Sequence, residues 1–166
     1  MNLEKTRNIA LKLMRQHGLI RYTFKWDRAV RRFGSCNGRT KTLTLSRPMT
    51  QHESNEKRVI NTILHEIAHA LDYKKRGYSN HDSEWKRLAK SVGCSGKRCG
   101  SGSGVDKSQI YKWIASCPGC EREVYYARKT KVEKACGSCC KQYNNNKYTS
   151  EYKFNWGLNP KIVKYI

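Results

Sequence analysis

Apolar residues recur at helical spacing in two stretches of the N-terminal half of the chain. The first covers residues 3–17 and is followed by Gly18, a residue type that commonly ends helices. The second begins near residue 54 or 55 and ends in a run of three cations before Gly77. Its apolar face consists of Val59, Ile60, Ile63, Leu64, Ile67, Ala68 and Leu71. We therefore predict a helix in each stretch, the second with a wide buried face.

Between these helices the pattern changes to the alternation that is typical of a β-sheet. Residues 22–26 and 41–45 alternate apolar and polar side chains, and residues 30–36 are a further candidate strand. The pair Asn37 and Gly38 is a strong signal for a tight hairpin turn. A small antiparallel sheet of two or three strands is therefore expected before the second helix.

A short amphipathic helix with Trp85 on its inner face follows and ends at Gly93. The composition then shifts to Gly and Ser, which is typical of a flexible linker. The chain of 166 residues is thus predicted to contain a domain in residues 1–93, a linker in 94–110 and a second domain in 111–166. The second domain has short strand patterns and many aromatic residues, so the expected fold class is α+β followed by a small β domain.

The second predicted helix carries His65, Glu66 and His69 in the pattern H-E-x-x-H. Histidines four residues apart lie on one face of a helix, so both imidazoles can bind one metal ion. Catalytic zinc sites have three protein ligands, and the compact spacing for a third histidine fails because Lys75 stands at that position. The downstream candidates for the third ligand are His81, Asp82 and Glu84. Imidazole suits zinc well, which favours the histidine.

The last segment contains a second candidate metal site, made of cysteines. They follow the pattern C-x2-C-x15-C-x2-C, which lies within the range of structural zinc sites. The predicted ligands are Cys117, Cys120, Cys136 and Cys139, with Cys140 as a possible substitute for the last. A domain this small has too little apolar core to fold without a bound metal ion or a similar crosslink. Together with the catalytic site, this predicts two zinc ions per chain, one catalytic and one structural. Of the other cysteines, Cys36 is interpreted as a small buried side chain, and Cys94 and Cys99 as free thiols of the linker.

The charge of the chain indicates a polyanionic partner. Lys and Arg total 34 against 13 Asp and Glu, a formal net charge of +21. Nucleic acid is the partner that this balance favours, above an anionic membrane surface. No apolar run has the length of a membrane span, and the first twenty residues lack the apolar core of a signal peptide. We therefore expect a cytoplasmic, monomeric protein with reduced cysteines and no membrane association.

Aromatic and cationic residues alternate in the cysteine-rich segment. Aromatic rings stack on bases and cations contact phosphates, so this combination is typical of a surface that binds nucleic acid with little sequence preference. The predicted contact residues are Lys112, Trp113, Arg128, Lys129, Lys131 and Lys141. The expected partner is DNA, single-stranded or duplex.

Taken together, these motifs resemble the SprT-like family, which includes the Spartan-type DNA-dependent proteases, and especially its short phage and bacterial versions. The resemblance is carried by H-E-I-A-H at residues 65–69, by the segment from His81 to Trp85, and by the Cys-x-x-Cys ribbon. The strand pattern in residues 26–36 and 43–46 also resembles the strands that precede the motif in that family. One departure is Asn80, which stands where the family has glycine.

The resemblance implies a zincin-like minimal metallopeptidase domain with His81 as the third zinc ligand, followed by a zinc ribbon. The implied function is cleavage of proteins that are bound or crosslinked to DNA. In this chemistry the zinc ion acidifies a water molecule and polarises the peptide carbonyl, and Glu66 is the general base. Residues 41–46, if they form a sheet edge, are expected to pair with an extended substrate.

Two other functions remain open from the sequence. The chain is alternatively a non-proteolytic DNA- or RNA-binding zinc protein whose H-E-x-x-H site is structural or vestigial. It is also compatible with a zinc hydrolase that acts on another amide or an ester. Glu66 favours an enzyme, because a purely structural metal site has no use for a base at that position.

Overall fold

The computed structural model describes residues 2–97 and 105–163 and contains two compact units. The N-terminal unit is Met1–Val105 and the C-terminal unit is Asp106–Ile166. In agreement with the predicted fold class, the chain is α+β, with helices and small sheets. None of the helices in the described ranges combines the length and the apolar character needed to cross a membrane.

The first helix of the N-terminal unit, α1, is Leu3–Gln16. It begins where the side chain of Asn2 accepts a hydrogen bond from the backbone N–H of Lys5, which satisfies a free donor of the first turn. Its buried face contains Ala10 and Met14, as the apolar stripe predicts. The observed end lies one residue before the predicted one, so local spacing was sufficient to place this element.

The sheet of this unit contains β1 (Thr23–Asp27), β2 (Gly34–Asn37) and β3 (Thr42–Ser46), in the order β1-β3-β2. β2 and β3 form the predicted antiparallel hairpin, but β1 pairs with β3 in parallel. The sheet is therefore mixed rather than antiparallel throughout, because the chain after β1 crosses over before it forms the hairpin. β3 is consequently the central strand, and the substrate edge expected at residues 41–46 is not an edge.

The long helix α3 is Glu56–Arg76 and follows a short helix, α2 (Arg47–Gln51). Asn55 caps its N-terminus, and it ends at Gly77, whose φ of 78° lies in the left-handed region that glycine adopts without strain. α4 (Ser83–Ser91) packs beside it. The core between helices and sheet contains fully buried side chains from all layers: Leu43, Leu45, Val59, Ile63, Ile67 and Trp85.

α2 was not predicted, since its five residues are too few to show a periodic pattern. It begins directly after β3, where the Ser46 hydroxyl accepts a hydrogen bond from the backbone N–H of Met49 at 3.1 Å. Pro48 lies in the first turn of this helix. A proline is tolerated there because the missing N–H would have no partner within the helix.

The predicted linker is ordered at both of its ends. Cys94 is buried, and the backbone N–H of Ser95 donates to the Asn61 side chain at 2.8 Å. Val105 forms an isolated β-bridge with Glu53 and is buried. In the C-terminal unit, Lys107–Gln109 is a 3-10 helix. The glycine-rich middle, with Cys99, lies outside the described residues.

The C-terminal unit contains an antiparallel sheet of β4 (Trp113–Ser116), β5 (Glu123–Tyr126) and β6 (Asn155–Leu158), in the order β5-β4-β6. The aromatic pattern in residues 152–156 predicts a third strand, but β6 lies further along the chain because Ser150–Tyr152 is a 3-10 helix. Two short helices, α5 (Gly137–Tyr143) and α6 (Pro160–Val163), were not predicted. The core of this unit consists of Ala115 and Phe154 packed on cysteines, so it is small, as expected of a ribbon.

Candidate metal centres and catalytic groove

His65 and His69 lie one turn apart on α3, and His81 lies in the turn that joins α3 to α4. The Nε2 atoms of the three imidazoles converge. The distances are 3.2 Å between His65 and His69, 3.1 Å between His69 and His81, and 3.0 Å between His81 and His65. The structure therefore brings together the two helix histidines and the third histidine that the sequence analysis favours.

The two alternatives for the third ligand have other partners. Glu84 accepts a hydrogen bond from Lys75 at 2.6 Å and also pairs with Arg87. Asp82 caps α4 by accepting the backbone N–H of Trp85 at 3.0 Å. Neither carboxylate belongs to the cluster of converging histidines in the described part of the chain.

The donor set fits a zinc ion. Each ring nitrogen of a neutral imidazole either donates or accepts one hydrogen bond, so three Nε2 atoms that lie 3.0–3.2 Å apart cannot all satisfy one another. A cation between them would instead accept a lone pair from each. Tetrahedral zinc with Zn–N bonds of about 2.0–2.1 Å places its nitrogen ligands about 3.3 Å apart, close to the observed separations. The Nδ1 atom of His69 is 2.8 Å from the Ser79 hydroxyl, a partner for its N–H that leaves Nε2 free for the metal.

Trp85 forms the inner wall of the histidine cluster. Its ring is fully buried, and its centroid lies 4.7 Å from that of His65, 4.9 Å from that of His69 and 4.5 Å from that of His81. The pattern of apolar positions places this residue on the inner face of α4 but does not reveal its contact with all three imidazoles. The wall restricts each ring to few orientations and removes water from one side of the site.

A second support holds the turn that carries His81. Arg76, in the last turn of α3, donates hydrogen bonds to Asp72 at 2.7 and 2.6 Å and to Asp82 at 2.9 and 3.1 Å. Asp72 is fully buried, so its charge needs this partner. Hydrogen bonds from Arg76 hold the pKa of the Asp82 carboxyl below its usual value. The i,i+4 spacing of Asp72 and Arg76 was visible in the sequence, but their link to Asp82 was not.

Glu66 lies beside the cluster and is buried. A Cβ atom added to Gly34 on β2 would approach its Cγ to 2.9 Å, so the glycine leaves the space that this side chain occupies. Burial raises the pKa of Glu66 to about 8, and the charge of Arg32 acts in the opposite direction. Burial, and then the neighbouring imidazoles, lower the pKa of His65 and of His69 to about 4. These histidines are therefore neutral, which is the form of imidazole that can bind a metal ion, and a bound divalent cation would favour the ionised form of Glu66.

A groove of about 840 Å³ opens in front of this cluster. Its walls come from β2, from the segments on either side of that strand, and from the end of α3 with the following turn. Cys36 lines the groove and is half-buried, so it is not the core residue that the sequence suggested. Burial, with a smaller contribution from Glu66, raises the pKa of the Cys36 thiol to about 12. Glu66 is the one carboxylate among the lining residues, which include Arg31, Arg32 and Arg39.

In the C-terminal unit, Cys117, Cys120, Cys136 and Cys139 form a second cluster, with all sulfur atoms within 4.8 Å of one another. Two Sγ–Sγ distances are 3.7 Å, from Cys117 to Cys139 and from Cys120 to Cys136. Tetrahedral zinc with Zn–S bonds of about 2.3 Å requires about 3.8 Å, so the geometry is consistent with zinc. The backbone N–H of Cys139 lowers the pKa of Cys136 to about 7, which favours a thiolate ligand.

Cys140 is buried but does not belong to this cluster. Consecutive residues of a helix point about 100° apart, so Cys139 and Cys140 on α5 cannot both face the same ion. The structure thus brings together the four cysteines with the regular spacing, while the substitute considered for the last position lies elsewhere in the unit.

The residues predicted to contact nucleic acid all lie at least partly exposed on the C-terminal unit. Of these, the structure pairs Lys129 with Trp113, whose ring centroid is 5.9 Å from the Lys129 ammonium group. Lys112, Arg128, Lys131 and Lys141 are exposed. A second such pair, Lys134 over Tyr126 at 5.4 Å, was not predicted, although Tyr126 is the partner of Trp113 in the β4–β5 register.

The fold and the histidine cluster together define a zincin-like domain, and the cysteine cluster defines a small zinc-ribbon unit. A family model described as "SprT-like family" matches residues 3–104, and the chain belongs to the SprT-like family. The match spans the whole histidine cluster and ends at the boundary of the N-terminal unit.

Two relatives described as "Protein SprT-like" are similar to this chain. The protein from Lactiplantibacillus plantarum is 32% identical over 94 residues, which cover 55% of this chain and 62% of the relative. The protein from Lactococcus lactis is 38% identical over 81 residues, which cover 46% of this chain and 50% of the relative. The chain thus spans only about half to six tenths of the length of these relatives. No solved structure matches the chain significantly.

Proposed function

We propose that this protein is a zinc-dependent metalloprotease that cleaves proteins bound or crosslinked to DNA. The observation that carries the proposal is the position of Glu66, which is buried beside three converging imidazoles and lines the same groove as they do. A structural metal site has no need of an acid–base group at that place. Membership of the SprT-like family supports the same reaction class.

The substrate binds as an extended peptide along β2. In the described part of the chain, β2 is an edge strand of the three-stranded sheet, whose order is β1-β3-β2. The backbone N–H and C=O groups on its outer side can therefore pair with another strand. β2 also lines the groove and packs against α3. Backbone pairing positions a peptide with little regard to its side chains, which suits a protease that meets many different proteins.

Each side chain of the site has a separate role in the proposed reaction. His65, His69 and His81 would hold the zinc ion, which would supply Lewis-acid chemistry for water and for the peptide carbonyl. Glu66 accepts the proton of the attacking water and transfers it to the nitrogen of the departing amine. Trp85 keeps water away from the inner side of the imidazoles. The groove admits the peptide from the opposite side.

The C-terminal unit directs this activity to DNA. Its cations lie close to aromatic rings on the strands of the ribbon, as in the pairs Lys129 with Trp113 and Lys134 with Tyr126. Rings stack on bases and cations contact phosphates without reading sequence. The net charge of +21 supports the same partner.

The test is cleavage of a DNA-bound protein by the purified full chain, with and without single-stranded DNA, beside the Glu66→Gln variant. The expected result is cleavage by the parent chain only, with zinc content near two per chain in both. Hydrolysis by the Glu66→Gln protein at the parent rate would overturn the mechanism. DNA binding without any cleavage by the parent chain would instead support the second candidate, a non-proteolytic nucleic-acid-binding zinc protein, which the ribbon surface favours.

A further inference from the structure

A second cavity of about 400 Å³ lies in the N-terminal unit, and none of the three clustered histidines lines it. Three segments form it: the turn between α1 and β1, the hairpin between β2 and β3, and the end of α3. The lining residues are Gly18, Leu19, Ile20, Arg21, Tyr22, Gly38, Lys41, Tyr73 and Lys74. Its volume lies within the range of about 300–1,000 Å³ in which proteins bind small ligands. Neither the histidine cluster nor the cysteine cluster accounts for this cavity.

The walls of the cavity are aromatic and apolar. Tyr22 and Tyr73 are half-buried, and Ile20 at the mouth is 79% exposed, which is unusual for so large an apolar side chain. The Tyr22 hydroxyl donates to the Ala70 carbonyl at 3.4 Å, so its polar end is turned toward α3. Ring faces in such a setting suit a planar, apolar ligand surface.

The rim of the cavity is cationic. Arg21, Lys41 and Lys74 are exposed, and no carboxylate is among the lining residues. The ion pairs found over residues 2–97 and 105–163 involve none of the three. A ligand that fits must therefore carry negative charge at its edge in addition to a flat, apolar body.

Tyr73 lines both this cavity and the groove in front of the histidines. It lies against the backbone of Gly38, where an added Cβ would come within 2.0 Å of its Cγ atom. Both Tyr73 and Gly38 line the groove as well as the cavity. A ligand held in the cavity is thus a direct neighbour of the site where a peptide would bind.

We propose that this cavity binds one nucleotide of a single-stranded nucleic acid, with the base against Tyr22 and Tyr73 and the flanking phosphates at Arg21, Lys41 and Lys74. Bases stack on aromatic rings whatever their identity, and the cations follow the backbone. The proposal rests on the proposed function for its biological setting, since the cavity shares Gly38 and Tyr73 with the groove in which the peptide would bind. Its chemistry does not depend on hydrolysis.

The first test locates the strand on the full chain. A short oligothymidylate that contains one 4-thiothymidine is bound, irradiated and mapped by mass spectrometry. Crosslinks to peptides that contain residues 19–22, 38–41 or 73–74 are expected, in addition to crosslinks in the ribbon. Crosslinks confined to the ribbon would overturn the proposal. Displacement by thymidine monophosphate as readily as by the oligonucleotide would overturn it too, because the site would then serve a free nucleotide.

The second test measures how affinity depends on salt. The rim variant, Arg21→Gln, Lys41→Asn and Lys74→Gln, removes the three positive charges at the mouth of the cavity. Asparagine is chosen at position 41 because the backbone there has a left-handed φ of 49°, which asparagine tolerates. The control Lys12→Gln, Lys57→Gln, Lys86→Gln removes three exposed cations of the same unit that do not line the cavity. Each phosphate contact contributes about 0.7 to the slope of log affinity against log salt. If two or three phosphate contacts are lost, the slope for the rim variant should be smaller by about 1.4–2.1 than for the parent chain. Its affinity for the oligonucleotide at 0.1 M salt should be lower by about ten- to a hundredfold.

Equal slopes and affinities in the two triple variants would overturn the proposal, since unspecific charge loss would then explain both. Tyr22→Leu provides a test of stacking that leaves the charge unchanged, and it should weaken binding by about fivefold or more. Because these are binding measurements, they stand if the protein proves to have no protease activity. Conversely, cleavage that depends on Glu66 would support the proposed function even if the rim variant bound DNA normally.

Discussion

Arg76 joins Asp82 through two hydrogen bonds, of 2.9 and 3.1 Å, next to His81, which completes the histidine cluster. On its other side the same guanidinium holds the fully buried Asp72 of α3. The end of one helix is thereby tied to the start of the next, and His81 lies in the short turn between them. Because guanidinium and carboxylate meet in a bidentate geometry, the turn has little freedom to carry His81 away.

We therefore expect Arg76→Met to weaken zinc binding at the histidine cluster by about ten- to a hundredfold, the usual effect of losing an outer support of a metal ligand. Zinc at the cysteine cluster should stay bound. Competition with a chelator, followed for both ions, measures the two affinities separately.

The matched control is Arg87→Met, which removes an exposed guanidinium whose ion pair with Glu84 lies within α4 and does not cross the turn. If both variants bound zinc as the parent chain does, Arg76 would have no positioning role. A variant that lost both zinc ions would indicate general unfolding, and circular dichroism of the same sample distinguishes that case.

The hydrogen bond between Ser79 and His69 leads to a second prediction. Ser79→Ala removes the 2.8 Å partner of the His69 Nδ1 atom, so the ring loses the contact that selects its tautomer. Zinc affinity at the histidine cluster should fall by about tenfold or more. Ser83→Ala, an exposed position in the first turn of α4, is the control and should have parent affinity.

Gly34 provides a test of the general base. In Gly34→Ala the new methyl group would meet the Glu66 side chain at 2.9 Å, so the carboxylate must move. We expect kcat to fall by up to about a hundredfold while zinc remains bound, since a shift of about 1 Å in a reacting group can cost that much. Gly137→Ala, where a Cβ atom meets nothing within 4 Å, is the control. Unchanged turnover in Gly34→Ala would contradict the role of Glu66.

The two adjacent cysteines of α5 give a fourth prediction. Cys139→Ser should reduce zinc content from two to one per chain and unfold the C-terminal unit, because the small core of that unit packs on the cluster. Cys140→Ser should keep both ions, since Cys140 lies outside the cluster. Metal analysis together with thermal unfolding measures both effects. Two zinc ions in Cys139→Ser would show that Cys140 replaces the missing ligand.

Local patterns were enough to predict α1, α3 and the hairpin of β2 and β3. Each depends on residues close in the chain: caps at Asn2 and Asn55, an apolar stripe, and the turn at Asn37. The pattern did not predict α2 or α5, because helices of five and seven residues show too few turns to establish a period. Nor did composition show that Cys94 and Val105 are buried at the ends of the glycine-rich segment.

The chain by itself determined which groups can bind metal and how they are spaced, since His65 and His69 follow from helical geometry and the four cysteines from their pairing. The tertiary structure decided what surrounds them. The parallel pairing of β1 with β3 makes β2 the sheet edge at the groove, and the contacts of Arg76, Ser79 and Trp85 support the histidines. The strand order and these contacts bring together residues that are far apart in the sequence. Their stability depends on how the whole core packs, which cannot be read from the pattern of neighbouring residues.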